Sequence, residues 1–222
     1  MTIIAAAVAL TIILAAALAP WIAPQNPFDP RQLNLMDGFT PPMEPNAFTG
    51  NTYWLGTDNQ GRDIFSAILY GARVSLFVGF SAVAFSLVLG VTLGLIAGYL
   101  GGRTDAVIMR VADVQLTFPV ILIALLIFGV ARGIIPPTMR EEVAIWVLII
   151  AIGLSDWVQF ARVVRGAAMV EKSREYVQAA RVIGVHPIRI VLTHILPNVM
   201  GPVIVMSTLW FATSSLIGAS VS

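Results

Sequence analysis

The chain has 222 residues, of which 58% are hydrophobic and only 11% charged, with a net charge of +1. A soluble domain carries about 25% charged residues because its surface must be wetted, so this composition excludes a water-soluble globule and leaves lipid to cover much of the chain. Cysteine is absent, which excludes disulfide scaffolds and thiolate metal sites and leaves the redox compartment open.

A helix needs about 20 apolar residues to cross a hydrocarbon core of about 30 Å. Met1 to Phe28 holds no charge, and Pro20 and Pro24 mark the end of its helix near residue 22. Val74 to Gly102 is also free of charge and closes on the breaker cluster Gly98-Tyr-Leu-Gly-Gly. Val114 to Ala131 is a third run, entered from about Thr104; Val143 to Ser155 continues through Asp156-Trp-Val-Gln-Phe-Ala to spanning length. The last run, Ile190 to Ser222, has a helix expected to start near Asn198, after Pro197. The expected fold is therefore all-α, a polytopic bundle of five spans. Its divisions are a first span over 1–22, an extracytoplasmic segment over 23–73, a membrane core over 74–217 and a tail over 218–222.

Lys and Arg set the orientation, because cytoplasmic loops retain them. With Met1 inside, the loop from Ala23 to Arg73 is outside, with three Arg against Asp29, Asp37, Glu44, Asp58 and Asp63. Arg103 and Arg110 are then inside, and Arg132 and Arg140, balanced by Glu141 and Glu142, outside. Arg162 to Asn198 is inside and carries Arg162, Arg165, Lys172, Arg174, Arg181 and Arg189 against Glu171 and Glu175. Met1 to Ala19 ends in Ala-Leu-Ala, which suits signal cleavage, but no Lys or Arg precedes it, so it is read as a retained span. Cleavage would leave the rest of the topology unchanged.

From Pro24 to Asn51 the external loop is rich in Pro, Asn and Gly and is expected to be irregular, without a core of its own. Trp54-Leu-Gly-Thr-Asp-Asn-Gln-Gly-Arg-Asp follows, where Asp58 and Asn59 between Gly56 and Gly61 read as successive turns with side-chain oxygens on backbone N–H groups. Asp63 to Arg73 is amphipathic through Ile64, Ile68 and Leu69 and is expected on the membrane surface. Asp58 and Asp63 lack the alternating oxygen ligands and closing Glu of a calcium loop. Asp113 and Asp156 lie near or within spans, where a carboxylate is costly and often functional. Arg110 is the expected partner of Asp113, and Asp156 is placed close to Arg162. His186 and His194 lack the spacing of a metal pair, and no metal site is expected.

The basic segment is the informative part. Arg174-Glu-Tyr-Val-Gln-Ala-Ala-Arg-Val-Ile-Gly has the period of a short amphipathic helix, with Ser173 as its expected N-cap and Glu175 in the first turn. Gly184 is placed at the left-handed closing position. Pro187 suits the first turn of a second helix over Ile188 to Ile195, which Pro197 is expected to end. Two short helices around a Gly turn make a compact knob, on which Ala179 and Ala180 leave room for another backbone to approach. A loop that only binds anionic headgroups would not require that arrangement.

These residues resemble the coupling motif of permease subunits of bacterial ATP-binding-cassette importers. The family pattern of Glu-Ala-Ala, three residues, Gly, nine residues, Ile-x-Leu-Pro is met here by Gln178-Ala179-Ala180, Gly184 and His194-Ile195-Leu196-Pro197. Gln178 and His194 replace Glu and Ile, as in the dipeptide, oligopeptide and nickel branch, to which Tyr176-Val-Gln-Ala-Ala-Arg is also similar. Leu55-Gly56-Thr57-Asp58-x-x-Gly61-Arg62-Asp63, Tyr70-Gly-Ala-Arg-Val-Ser-Leu and Thr117-Phe-Pro agree with the same branch.

The resemblance implies the type I, MetI-like permease fold in the bacterial inner membrane, with six spans where this chain shows five. It implies a second related permease, two cytoplasmic ATPases and an extracytoplasmic solute-binding protein as partners. It also implies no catalysis or cofactor of the chain's own, ATP being bound by the ATPases. The coupling segment, residues 166–198, would seat Tyr176, Gln178, Ala179, Ala180, Gly184, His194, Leu196 and Pro197 in an ATPase groove. The cargo would be di- or oligopeptides or nickel, and alternating access would follow ATPase closure. The end, Ala219-Ser-Val-Ser, is similar to a family stretch that precedes a further span, so a sixth is expected downstream unless the protein is shortened. Two other readings stand beside this one: an ATP-independent secondary transporter or channel using Asp113 and Asp156, and a membrane enzyme using His186 and His194.

Overall fold

The computed structural model describes residues 2–134, 136 and 140–221. In chain order the helices are α1 (Thr2–Ala17), α2 (Ala19–Ile22), α3 (Ile64–Leu100), α4 (Gly102–Leu116), α5 (Val120–Ile134), α6 (Arg140–Glu171), α7 (Glu175–Val182), α8 (Pro187–Ile190) and α9 (Leu196–Val221). A π-helical segment, Val191–Ile195, joins α8 to α9. Among the described residues the only extended pairings are two isolated bridges, Pro45 with Thr52 and Thr57 with Asp63. Ile64–Leu100, Val143–Glu171 and Pro187–Phe211 are long and apolar enough to cross a membrane, while Ala7–Ala17 and Leu125–Ile134 are shorter apolar helices. The chain forms two compact units, Met1–Phe77 with Leu216–Ser222, and Val78–Ser215.

Three elements differ from the sequence expectation. The segment Asp63 to Arg73 is not a separate surface helix, because Ile64 opens one uninterrupted helix that runs to Leu100. No proline interrupts this run, and Asp63 caps it, its Oδ2 accepting from the backbone N–H of Ser66 at 3.0 Å. The third apolar run is not a single helix: α4 ends at Leu116 and α5 begins at Val120. Pro119 explains the break, since it offers no N–H and disfavours helical backbone at Phe118. Finally, α6 continues to Glu171, so the first ten residues of the basic segment are helix and not loop.

The second unit is organised by close packing of α3 on α6. A Cβ added at Gly90, Gly94 or Gly98 would lie 2.6 Å from the carbonyl oxygen of Trp157, 2.6 Å from that of Ala161 and 2.8 Å from that of Arg165, respectively. Only glycine permits that approach, and small residues commonly bring membrane helices together in this way. Ser86 Oγ adds a hydrogen bond to the carbonyl of Gly153 at 3.0 Å, across a separation of 67 residues. The glycine contacts keep that offset, so α3 and α6 run parallel, as alternate spans of a bundle must. A second contact sets α4 antiparallel to α6. Arg165 forks onto Asp105, its Nη2 donating to Oδ2 at 2.6 Å, and Arg162 pairs with Asp113 at 2.6 Å. Farther along, the side-chain amide of Gln115 donates to the carbonyls of Leu154 and Ser155 and accepts from Trp157 Nε1 at 2.8 Å. Around these contacts Val91, Leu95, Phe160, Val164, Ile195 and Val199 form an apolar core that α7 and α9 share.

Candidate functional site

The knob is built directly onto this core. Helix α6 stops at Glu171, Arg174 turns to extended backbone, and α7 begins at Glu175. Arg174, not Ser173, is the capping position, and it makes no side-chain cap; the Ser173 hydroxyl donates instead to the carbonyl of Val170 at 2.7 Å. Ser173 still contributes through its own carbonyl, which accepts from Gln178 Nε2 at 3.0 Å. At the far end the N–H of Gly184 bonds the carbonyl of Arg181 and that of Val185 bonds the carbonyl of Ala180, both at 3.0 Å. This is the paired closure of a Schellman turn, and it requires the left-handed conformation that Gly184 adopts, with φ at 80°.

The two alanines do not act alike. Ala180 is buried with Val177 in the core, spaced three residues apart on one face of α7, while Ala179 and Gln178 are exposed. Only Ala179 is therefore open to a partner, in contrast to the sequence expectation for both. Around the turn the knob presents Val182, Ile183, Ile188 and Leu192 as exposed apolar side chains, Val182 at 87%. Such clustering marks an interaction surface more often than an isolated exposed residue does.

The second helix also differs from expectation. Pro187 occupies its first turn as predicted, but Pro197 does not end it, because the π-helical segment lets the helix run on through Leu196 into α9. A proline clashes with the carbonyl four residues before it, and the wider π turn just upstream relieves that clash. The Leu196 N–H reaches back five residues to Val191, and Asn198 Nδ2 donates to the carbonyl of His194 at 2.7 Å. The same Asn198 amide donates to the Tyr176 hydroxyl at 3.0 Å, and that hydroxyl donates to Glu171. The bond to Glu171, with burial adding to it, pushes the Tyr176 hydroxyl above its ordinary pKa. The Tyr176 ring stands edge-on to His194, centroids 6.2 Å apart. The structure thus brings Tyr176 and His194 together, packs Leu196 against the core and leaves Pro197 exposed.

The Leu55–Asp63 motif is a separate site, in the first unit. Asp58 Oδ1 accepts from the N–H groups of Gln60 at 2.8 Å and Arg62 at 2.9 Å, as the turn reading expects. Gly56 and Gly61 have positive φ, and a Cβ on either would meet backbone carbonyls, of Thr40 and Asn34 respectively. Leu55 is exposed, and Trp54 beside it stacks on Phe65 with centroids 5.3 Å apart.

The loop before this motif does have a core, and it is polar. Asp37 is buried, with its carboxylate accepting from Thr49 Oγ1, from Asn51 Nδ2 at 3.2 Å and from Tyr53 OH at 2.9 Å. Its carbonyl accepts from the hydroxyls of Thr40 and Thr57. Burial alone would push the Asp37 carboxyl up, but the bonds from Thr49, Tyr53 and Asn51 outweigh it and hold the group below the usual carboxylate range. Burial and the bond to Asp37 push Tyr53 up to about 12. Asp63 Oδ1 and Arg62 Nε are buried without a hydrogen-bond partner among the described residues.

Of the two membrane carboxylates, Asp113 pairs with Arg162 and not with Arg110, and Asp156 is buried in α6. Three features escaped the sequence reading: the Arg165–Asp105 fork, the Gln115 staple and the polar core on Asp37. The first two join residues too far apart in the chain for spacing to reveal them.

Comparison with known proteins bears on both units. Residues 90–222 match the family described as the binding-protein-dependent transport system inner membrane component. The chain is 36% identical over 203 residues to the oligopeptide transport system permease protein OppC of Bacillus subtilis, covering 91% of this chain and 60% of that one. It is 43% identical over 168 residues to the dipeptide transport system permease protein DppC of Alkalihalophilus pseudofirmus, covering 76% of this chain and 52% of the relative. To DppC of Haemophilus influenzae it is 37% identical over 208 residues, covering 93% and 65%. The chain thus spans between about half and two thirds of these relatives' length. The matched residues include the whole knob and the glycine-packed core, and the chain belongs to the family of binding-protein-dependent transport system inner membrane components.

Proposed function

We propose that this chain is the transmembrane permease subunit of an ATP-driven importer of di- or oligopeptides, in which the knob docks on a cytoplasmic ATPase. The supporting observation is the knob itself: a rigid turn closed by Gly184, an exposed Ala179 and an apolar rim of Val182, Ile183 and Ile188, anchored to the core through Val177, Ala180 and Ile190. Peptides are favoured over nickel as cargo because the named relatives belong to oligopeptide and dipeptide systems. On this reading the chain performs no catalysis. A second permease, two ATPases and a solute-binding protein complete the assembly, and ATPase closure drives alternating access.

Co-purification with the ATPase subunits tests the reading. Gly184→Val places a β-branched residue at φ of 80°, a conformation it strongly resists, and should abolish ATPase association. Gly184→Asn, whose side chain tolerates that conformation, should retain it. Retention of the ATPase by a folded Gly184→Val chain would count against docking through this turn.

A further inference from the structure

Besides its packing in the apolar core, the knob makes a polar attachment to a helix that is not its neighbour in sequence. Tyr99 lies in the last turn of α3. The Arg181 guanidinium of α7 sits over its ring, 4.9 Å from the centroid. Lys172, just past α6, donates from Nζ to the Tyr99 carbonyl at 3.2 Å. The lysine thus satisfies one of the carbonyls left open at a helix C-terminus and places a cation where the helix dipole favours it.

The turn beyond Tyr99 is tight. Gly101 and Gly102 both take positive φ, 68° and 56°, so the chain reverses at once from α3 into α4. Three residues into α4, Asp105 is held by Arg165. The end of α3 is therefore held by two cations, Arg181 from the knob and Lys172 from just past α6, while Arg165 holds the start of α4 and α3 itself packs through glycines on α6. A displacement of α7 larger than the Arg181 side chain can absorb must either move Tyr99 or break the Arg181 contact.

We propose that Tyr99 and Arg181 form a transmission joint, through which displacement of the knob is delivered to the end of α3. Both are positioning residues for transport, and neither touches cargo or nucleotide. The joint rests on the docking reading for the force that moves the knob, but its existence as a tether does not.

Two measurements separate these. In the full-length chain in nanodiscs, hydrogen exchange of amides 177–185 should accelerate roughly threefold in Tyr99→Leu and in Arg181→Gln, as expected for loss of an exposed cation–π contact. Tyr99→Trp keeps a π face and should leave exchange unchanged, and the Tyr99→Leu/Arg181→Gln double variant should exchange no faster than either single one. Unchanged exchange in both single variants overturns the joint. In the assembled transporter, Tyr99→Leu should lower peptide uptake per ATP hydrolysed, with ATPase association intact and Tyr99→Trp restoring uptake. Normal uptake per ATP in Tyr99→Leu overturns transmission alone. Failure of the unsubstituted chain to hold an ATPase overturns the docking reading, and transmission with it, while the exchange result still judges the tether.

Discussion

Gly94→Ala asks whether the α3–α6 approach is obligatory. The added Cβ would lie 2.6 Å from the Ala161 carbonyl oxygen, 2.9 Å from Val164 Cβ and 3.1 Å from Ala161 Cα. Favourable carbon contacts begin near 3.5 Å, so the helices must separate by up to about 1 Å locally. Neither the Ala161 backbone nor the β-branched Val164 can rotate away. Overpacking of this kind costs about 1–3 kcal/mol. Alanine also gains about 1 kcal/mol of helix propensity over glycine, which partly masks the clash. Gly166→Ala supplies the control, since its Cβ would meet nothing within 4 Å and it lies in α6 itself. The difference between the two variants isolates the clash: Gly94→Ala should be less stable than Gly166→Ala by about 1–3 kcal/mol. Reversible unfolding in mixed micelles, followed by circular dichroism, measures it. Equal stability of the two variants would show that α3 and α6 have room to spare, and the parallel glycine contact would not be what holds the bundle.

Two further outcomes follow from the charged groups. The Arg165–Asp105 fork is partly buried, its side chains 32% and 15% exposed, whereas those of Arg162 and Asp113 are 45% and 56% exposed. Asp105→Asn should therefore cost about 1–3 kcal/mol, below the range for fully buried pairs, and Asp113→Asn about 0–1 kcal/mol, in the same unfolding assay. In the loop of the first unit, the raised Tyr53 pKa gives stability that is complete below pH 10 and lost as pH climbs toward about 12. The lowered Asp37 pKa gives stability present above 3.8 and lost as pH falls through the folded value. Protease cleavage within residues 31–53 should rise between pH 10 and about 12, and Tyr53→Phe should remove the tyrosine ionisation near pH 12 from the absorbance titration. A pH-independent cleavage rate would refute the Asp37–Tyr53 coupling.

What was legible in the sequence was whatever local chemistry decides. The apolar runs, the Asp58 turn, the left-handed Gly184 and the first-turn Pro187 each depend on residues within one or two turns of one another. The misreadings share a different cause. Pro197 looks like a helix end until a π turn makes space for it, and that turn has no signature in Val191 to Ile195. Ser173 is a good capping residue by type, yet the chain turns one residue later. Ala180 reads as outward with Ala179 when small size is weighed ahead of period, although the spacing of Val177 and Ala180 marks the inner face. Asp37 reads in the sequence as one more loop acid, because a buried carboxylate needs donors from several turns, here Thr49, Asn51 and Tyr53, and only the folded loop assembles them. The partners of Asp105 and Asp113 are non-local for the same reason, since each finds its arginine on another helix.

The π-helical segment between α8 and α9 carries one more consequence. A π turn holds one residue more than the α turn it replaces, so it acts as a phase shifter set into an otherwise regular helix. Ile190 and Ile195, five residues apart, both face the core, and Val199 and Val203 continue the same stripe at the α spacing of four. In an unbroken α-helix the surplus residue would rotate everything before it by about 100° relative to everything after. Ile190 would then leave the core, and the Gly184 turn would swing around the helix axis with it. The angular setting of the knob against the bundle is thus fixed by a single residue's worth of winding, stored next to Pro197.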